Sequence, residues 1–153
     1  MKSNFDDYLK YWRVIRQYVK ARYELSQSDL DMLLFLYSEG YFGKDKFKEF
    51  AQLVSWDVQR FDRLLRDGWI ENFRQRKQGV KGIYCLSFKA KRMIKSIYKK
   101  LSGEEIPMTA ENNPMFKKNV KFSDKVYRNM IMSMNEATRK AKVTGQQPHH
   151  VPE

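Results

Sequence analysis

A mainly α-helical chain with one small β-hairpin is the fold class that three features of this sequence predict. Six segments repeat apolar residues at three- and four-residue steps, the signature of a helix with one buried face. The third and fourth of these segments are separated by almost nothing, which is the junction of a helix-turn-helix. Between the fourth and fifth, Gly68-Trp69-Ile70-Glu71-Asn72-Phe73 turns through Lys77-Gln78-Gly79-Val80-Lys81-Gly82 and returns as Ile83-Tyr84-Cys85-Leu86. Two strand-like runs around a glycine-bearing turn read as a hairpin.

The first helix, 5–23, rests on Phe5, Tyr8, Trp12, Ile15, Val19 and Tyr23, with Tyr11, Val14 and Tyr18 widening the stripe. So broad a face exceeds what one small core needs, and it predicts packing on the C-terminal helix or on a second subunit. Ser26 or Ser28 can cap the second helix, about 29–38, where Leu30, Met32, Leu33, Leu34, Phe35, Leu36 and Tyr37 put apolar residues on nearly every side. That pattern predicts a buried central helix, ended by Gly40 and Gly43. The third helix, 44–54, turns Phe47, Phe50, Ala51 and Val54 inward. Ser55 can cap the fourth, 56–67, with Val58, Phe61, Leu64 and Leu65 inward and Gly68 as its stop.

After the hairpin comes a fifth helix, 89–101, with Met93, Ile94, Ile97, Tyr98 and Leu101 on one face. Gly103, Pro107, Asn112, Asn113 and Pro114 interrupt any continuation, so 102–121 reads as an irregular connector. Ser123 caps a last helix, 123–142, striped by Val126, Met130, Met134, Ala137 and Ala141. The expected organisation is an N-terminal dimerisation or docking helix (1–24), a nucleic-acid-binding domain (25–101), the connector (102–121), a C-terminal helix (122–143) and a tail (144–153).

Charge narrows the class of partner. The 153 residues carry a net charge of +12, and residues 44–100 hold sixteen basic and six acidic residues, hence most of that excess. Residues 72–102 contain no acid and ten bases: Arg74, Arg76, Lys77, Lys81, Lys89, Lys91, Arg92, Lys95, Lys99 and Lys100. An excess held in a folded region favours nucleic acid, an anionic membrane face or an acidic protein. No run approaches the roughly 18 apolar residues of a membrane span, and the N-terminus lacks the apolar stretch of a secretory signal. No membrane partner and a cytoplasmic location are expected.

The single cysteine, Cys85, excludes an internal disulfide and a thiolate zinc cluster, and its place in a strand reads as a small buried hydrophobe. His149 and His150 are adjacent, without carboxylate or cysteine at ligand spacing, so no metal and no cofactor is expected. No Ser/His/Asp, Cys/His or paired-carboxylate set assembles without those tail histidines. The expectation is a non-enzyme.

Helix, helix, helix-turn-helix, hairpin, helix is the order of a winged helix-turn-helix with flanking helices. Within it, Leu64-Leu65-Arg66-Asp67-Gly68-Trp69-Ile70, a basic wing, and Leu86-Ser87-Phe88-Lys89-Ala90-Lys91 resemble the MarR-type family of bacterial transcription regulators, as does Leu25-Ser26 before the buried helix. In that family a Leu-rich turn and Gly-hydrophobic-Ile end the recognition helix, and Leu-Thr/Ser-x-Lys/Arg-Gly opens the next. Here Ala90 stands in place of that glycine, and the wing has no acid where the family has Asp-x-Arg. The resemblance covers roughly residues 5–101. It implies a homodimer on double-stranded DNA, with the fourth helix in the major groove.

The outward residues of that helix are Trp56, Gln59, Arg60 and Arg63, and Gln and Arg suit adenine and guanine edges respectively. Asp57 and Asp62 interrupt the face. Arg74, Arg76, Lys77 and Lys81 are the candidate wing contacts to phosphate or the minor groove. The expected function is a dimeric winged-helix DNA-binding transcription regulator. A second reading, from another class, is a structural subunit docking on other proteins of a large nucleoprotein assembly such as a phage virion.

Overall fold

The structure is a computed structural model that describes residues 7–54 and 58–144. Six helices and three short strands follow in the order α1 (Tyr8–Tyr23), α2 (Gln27–Tyr37), β1 (Tyr41–Phe42), α3 (Lys44–Ala51), α4 (Val58–Arg66), β2 (Ile70–Arg74), β3 (Ile83–Leu86), α5 (Phe88–Leu101) and α6 (Phe122–Thr144), with a single 3-10 turn at Pro114–Phe116. The mainly helical class with a small β-element is therefore observed. Two compact units share these elements: Leu25–Ile94 forms one, and α1 with the chain from Lys95 onward forms the other.

In the Leu25–Ile94 unit, Ser26 rather than Ser28 caps α2, its hydroxyl accepting from the Asp29 N–H at 3.1 Å. α2, apolar without interruption from Met32 to Tyr37, is buried through Leu30, Met32, Leu33 and Leu36, while Phe35 stays partly exposed and tilts against Phe50 of α3. α3 ends at Ala51, short of Val54, and Phe47 alone of its expected inward residues is fully buried. α4 buries Phe61 and Leu64. Ser55, Trp56, Asp57 and the side chain of Val58 lie outside the described residues, so the expected cap and first turn of that helix are not described.

Gly68 closes α4 with the pair of bonds that left-handed C-terminal caps make. Its own N–H donates to the Leu65 carbonyl and that of Trp69 to the Leu64 carbonyl, at a Gly68 φ of +81° that side chains disfavour. The chain leaves directly into β2. β2 and β3 pair antiparallel from Ile70 opposite Leu86 to Arg74 opposite Ile83, with a bulge at Phe73. The tip closes through reciprocal bonds between Lys77 and Val80, with Gly79 at φ +75° in the turn.

Tyr41 and Phe42 lie between the second and third helices, where the sequence predicts no element. They form β1 instead, pairing with Cys85 and Tyr84 of β3, so the sheet order is β1-β3-β2. Two residues are too few to show alternation, which is why periodicity misses them. On the inner side Phe42, Phe47, Phe61 and Tyr84 make successive edge-to-face contacts at 5.2, 4.3 and 5.0 Å. Cys85 is a free thiol of intermediate exposure, not the buried hydrophobe expected.

The other unit is organised by α1 and α6, which pack on each other and, through α1 and α6 alike, on the 3-10 turn. The buried stripe of α1 is Tyr11, Val14, Ile15, Tyr18 and Val19, whereas Tyr8, Trp12 and Tyr23 are half-buried at its margins and Phe5 is outside the described residues. Burial raises the phenol pKa of both Tyr11 and Tyr18, for Tyr18 against the opposing hydrogen bond from Arg22.

α6 begins one residue before Ser123, so that serine sits inside the helix instead of capping it. Its buried residues are Ile131, Met134, Asn135 and Thr138, and Val126 is exposed. The stripe is turned relative to the expected one because Asn135 is buried with both amide groups satisfied. Its Oδ1 accepts from the Ile106 N–H at 2.9 Å and its Nδ2 donates to the Ile106 carbonyl at 2.8 Å. The connector is irregular, as expected, but it is held. Arg128 bonds to the carbonyls of Met115 and Lys117, and Arg22 donates to that of Asn112 at 2.7 Å. No described helix is long and apolar enough to cross a membrane.

Candidate nucleic-acid interface

Arg74, Arg76, Lys77 and Lys81 all lie exposed on or beside the β2–β3 hairpin. The hairpin is ordered by its ladder and by the Lys77–Val80 turn, so these cations stand on a fixed support. Their roles differ. Arg74 donates from Nη2 to the Lys81 carbonyl at 3.2 Å, which ties the two sides of the hairpin together below its tip. Lys81 reaches Asp45 at 3.3 Å, but the two side chains are 88% and 77% exposed, and such a pair is worth about 0–1 kcal/mol. Among the described residues, Arg76 and Lys77 have no carboxylate partner.

Between the β2–β3 hairpin and the start of α3 opens a cleft of about 440 Å³, lined among others by Lys44, Asp45, Arg76, Lys77, Lys81 and Tyr84. Four cations against one carboxylate suit an anion. Lys44 is a member that sequence reasoning missed. Its amine sits 5.3 Å from the Phe61 ring. The signal was present as the first residue of the third helix, but only the β1–β3 pairing brings that end to the hairpin.

The outward face of α4 is less uniform than expected. Gln59 is exposed and Arg60 half-buried, while Trp56 lies outside the described residues. Arg63 is drawn inward. Its Nη2 is 2.5 Å from Asp29 Oδ2 on α2, and the Asp29 side chain is only 4% exposed against 40% for Arg63. The other carboxylate oxygen, Oδ1, is buried with no partner. Arg63 thus neutralises a buried acid from across the helix pair, and the nitrogen so engaged is withdrawn from any groove.

The rest of the acid-free run divides the same way. Lys89 donates to the Asp67 carbonyl at 3.1 Å and covers the Trp69 ring at 4.0 Å. Lys100 is buried, donating to Ser96 Oγ at 2.8 Å and to Glu104 at 3.0 Å. Tyr98, expected inward, is 55% exposed, because the buried row of α5 runs through Ala90, Met93, Ile94, Ile97 and Leu101 and passes it by. Tyr41 and Phe73, both exposed, meet on the sheet with ring centroids 4.4 Å apart and the planes tilted by 42°.

Among the described residues, no group of three or more His, Cys, Asp or Glu could hold a metal ion. His149 and His150 lie outside them. No family model matches the chain, and no curated protein or solved structure is significantly similar to it. The resemblance to MarR-type regulators thus rests on the quoted motif residues alone.

Proposed function

We propose that this chain is a winged helix-turn-helix DNA-binding protein that acts as a homodimeric transcription regulator. The observation that carries the reading is the wing: Arg76 and Lys77, exposed and unanswered by any carboxylate, at the end of an ordered hairpin. Holding charged side chains on such a support favours an anionic polymer, whose binding releases counterions. The order α2, β1, α3, α4, β2, β3 and the strand order β1-β3-β2 support the winged-helix arrangement, with α4 as recognition helix and β2–β3 as wing. Gln59 and Arg60 are its base-reading candidates. Arg63 serves the reading by fixing α4 on α2.

Replacing Arg76 and Lys77 by Ala should weaken binding to all DNA sequences alike and lower the salt slope by about 1–2. The measurement is a salt titration by fluorescence anisotropy on duplex DNA. An unchanged slope in the folded variant removes the wing from the interface. Selection from a random duplex pool should enrich a motif; no motif at all would favour the assembly subunit over the regulator.

The homodimer is supported by apolar side chains left at the surface of the α1–α6 unit. Leu9, Val126 and Met132 are exposed there, near a groove lined by Tyr11, Met130, Met134 and Ala137. Light scattering should give twice the chain mass at tens of micromolar, roughly the range where good dimers are already formed. A monomer there would withdraw the dimeric regulator.

A further inference from the structure

On α3 and α6, some of the surface cations meet carboxylates. Lys46 lies 3.2 Å from Glu49, Lys140 lies 3.2 Å from Glu136, and Arg139 of α6 lies 2.8 Å from Glu105. α5 has no acidic residue. With Lys89 and Lys100 engaged inside the fold, its remaining cations are Lys91, Arg92, Lys95 and Lys99, all exposed and none with a carboxylate partner among the described residues. Lys91, Lys95 and Lys99 follow at four-residue steps, one row with a rise of about 6 Å per step. Arg92 lies beside them, its guanidinium 4.7 Å from the ring of Phe88, which is itself 70% exposed.

Like charges at that spacing oppose one another and weaken a helix. The row persists because burial of the opposite face of α5 outweighs the repulsion, and a polyanion laid along it would remove the repulsion altogether. We infer that Lys91, Arg92, Lys95 and Lys99 form a second contact surface for a nucleic-acid backbone, distinct from the wing. The inference rests on the reading of the chain as a nucleic-acid binder, but not on the wing residues.

The chemistry of the row selects among polyanions. A bilayer surface would be entered by the apolar face of an amphipathic helix, and that face of α5, through Met93, Ile94, Ile97 and Leu101, is already buried. Protein interfaces centre on desolvated apolar or aromatic groups and are depleted of lysine there. The centre of this surface is lysine, with Phe88 at one end. Evenly spaced cations on a rigid rod match evenly spaced phosphates.

The test uses the full chain and a labelled random-sequence duplex, titrated with salt. Lys95→Glu should lower the slope of log K against log salt by about 1 or more. The same variant should melt no lower, and by about 1–3 °C higher, since the introduced carboxylate meets Lys91 and Lys99 one turn to either side. Replacing Lys91, Lys95 and Lys99 together by Gln should lower the slope by about 2–3. A binding defect in a protein of equal or greater stability is what a solvated helix face would not produce.

A slope unchanged in both folded variants overturns the inference. If the Arg76 and Lys77 double variant loses slope while Lys95→Glu does not, the wing reading stands and this one falls. If Lys95→Glu loses slope and the wing variant does not, this surface stands and the wing falls. Failure of the unaltered chain to bind any duplex sinks both. Lys95-dependent binding to phosphatidylserine vesicles without binding to DNA also overturns it, in favour of a membrane surface.

Discussion

Arg63→Ala is expected to destabilise the protein by about 2–4 kcal/mol, more than any effect it has on DNA preference. Asp29 is the reason. Its carboxylate is buried at the start of α2, one oxygen held by Arg63 and the other without a partner. Removing the guanidinium leaves a buried charge with nothing to meet it, for which losses of about 3–5 kcal/mol are typical when both partners are buried. Arg63 is 40% exposed, so water can enter and recover part of that loss.

Urea denaturation of wild type, Arg63→Ala and the double variant Asp29→Leu with Arg63→Met would check it. The double variant should be far less destabilised than Arg63→Ala, because no charge remains to be compensated. A loss below about 0.5 kcal/mol for Arg63→Ala, the size of an ordinary surface change, would mean the pair does not hold α4 to α2.

Phe61→Ala should cost about 3–5 kcal/mol, the usual range for removing a fully buried aromatic ring. The ring is 2% exposed and joins two parts of the Leu25–Ile94 unit. It meets Phe47 of α3 edge-on at 4.3 Å and Tyr84 of β3 edge-on at 5.0 Å. The cavity would therefore open where α4 rests on both the helix before it and β3 of the hairpin. Phe61→Leu should retain most of the lost stability by filling part of the volume. The same denaturation series reads both. Equal stability of Phe61→Ala and wild type would show that the three rings do not form a packed core.

Much of the architecture was legible because it is written in local spacing. The returning strand of the hairpin lies at Ile83–Leu86, where the sequence pattern puts it, and Gly68 ends α4 at a backbone angle that favours glycine. Local spacing also misled where a polar residue belongs to the core. Asn135 and Thr138 are buried on α6, so a stripe drawn through Met130 and Ala141 was turned away from the true face. A buried asparagine becomes visible only when the backbone that satisfies it, Ile106, is in place. β1 was hidden for a related reason: a two-residue strand exists only through its partner.

The cations show the division most clearly. By itself the sequence determined that residues 72–102 carry ten bases and no acid, that a hairpin presents part of them, and that α5 presents more. Tertiary structure alone decided which of the chain's cations are available. Arg63 is held by Asp29, Lys89 by the Asp67 carbonyl and the Trp69 ring, and Lys100 by Ser96 and Glu104. Among the described residues, Arg76, Lys77, Lys91, Lys95 and Lys99 have no such partner. Helix and strand periodicity fixes the direction a side chain takes from its own backbone. Whether a charge waits in that direction depends on residues such as Asp29, 34 positions from Arg63, which come within reach only when the chain has folded.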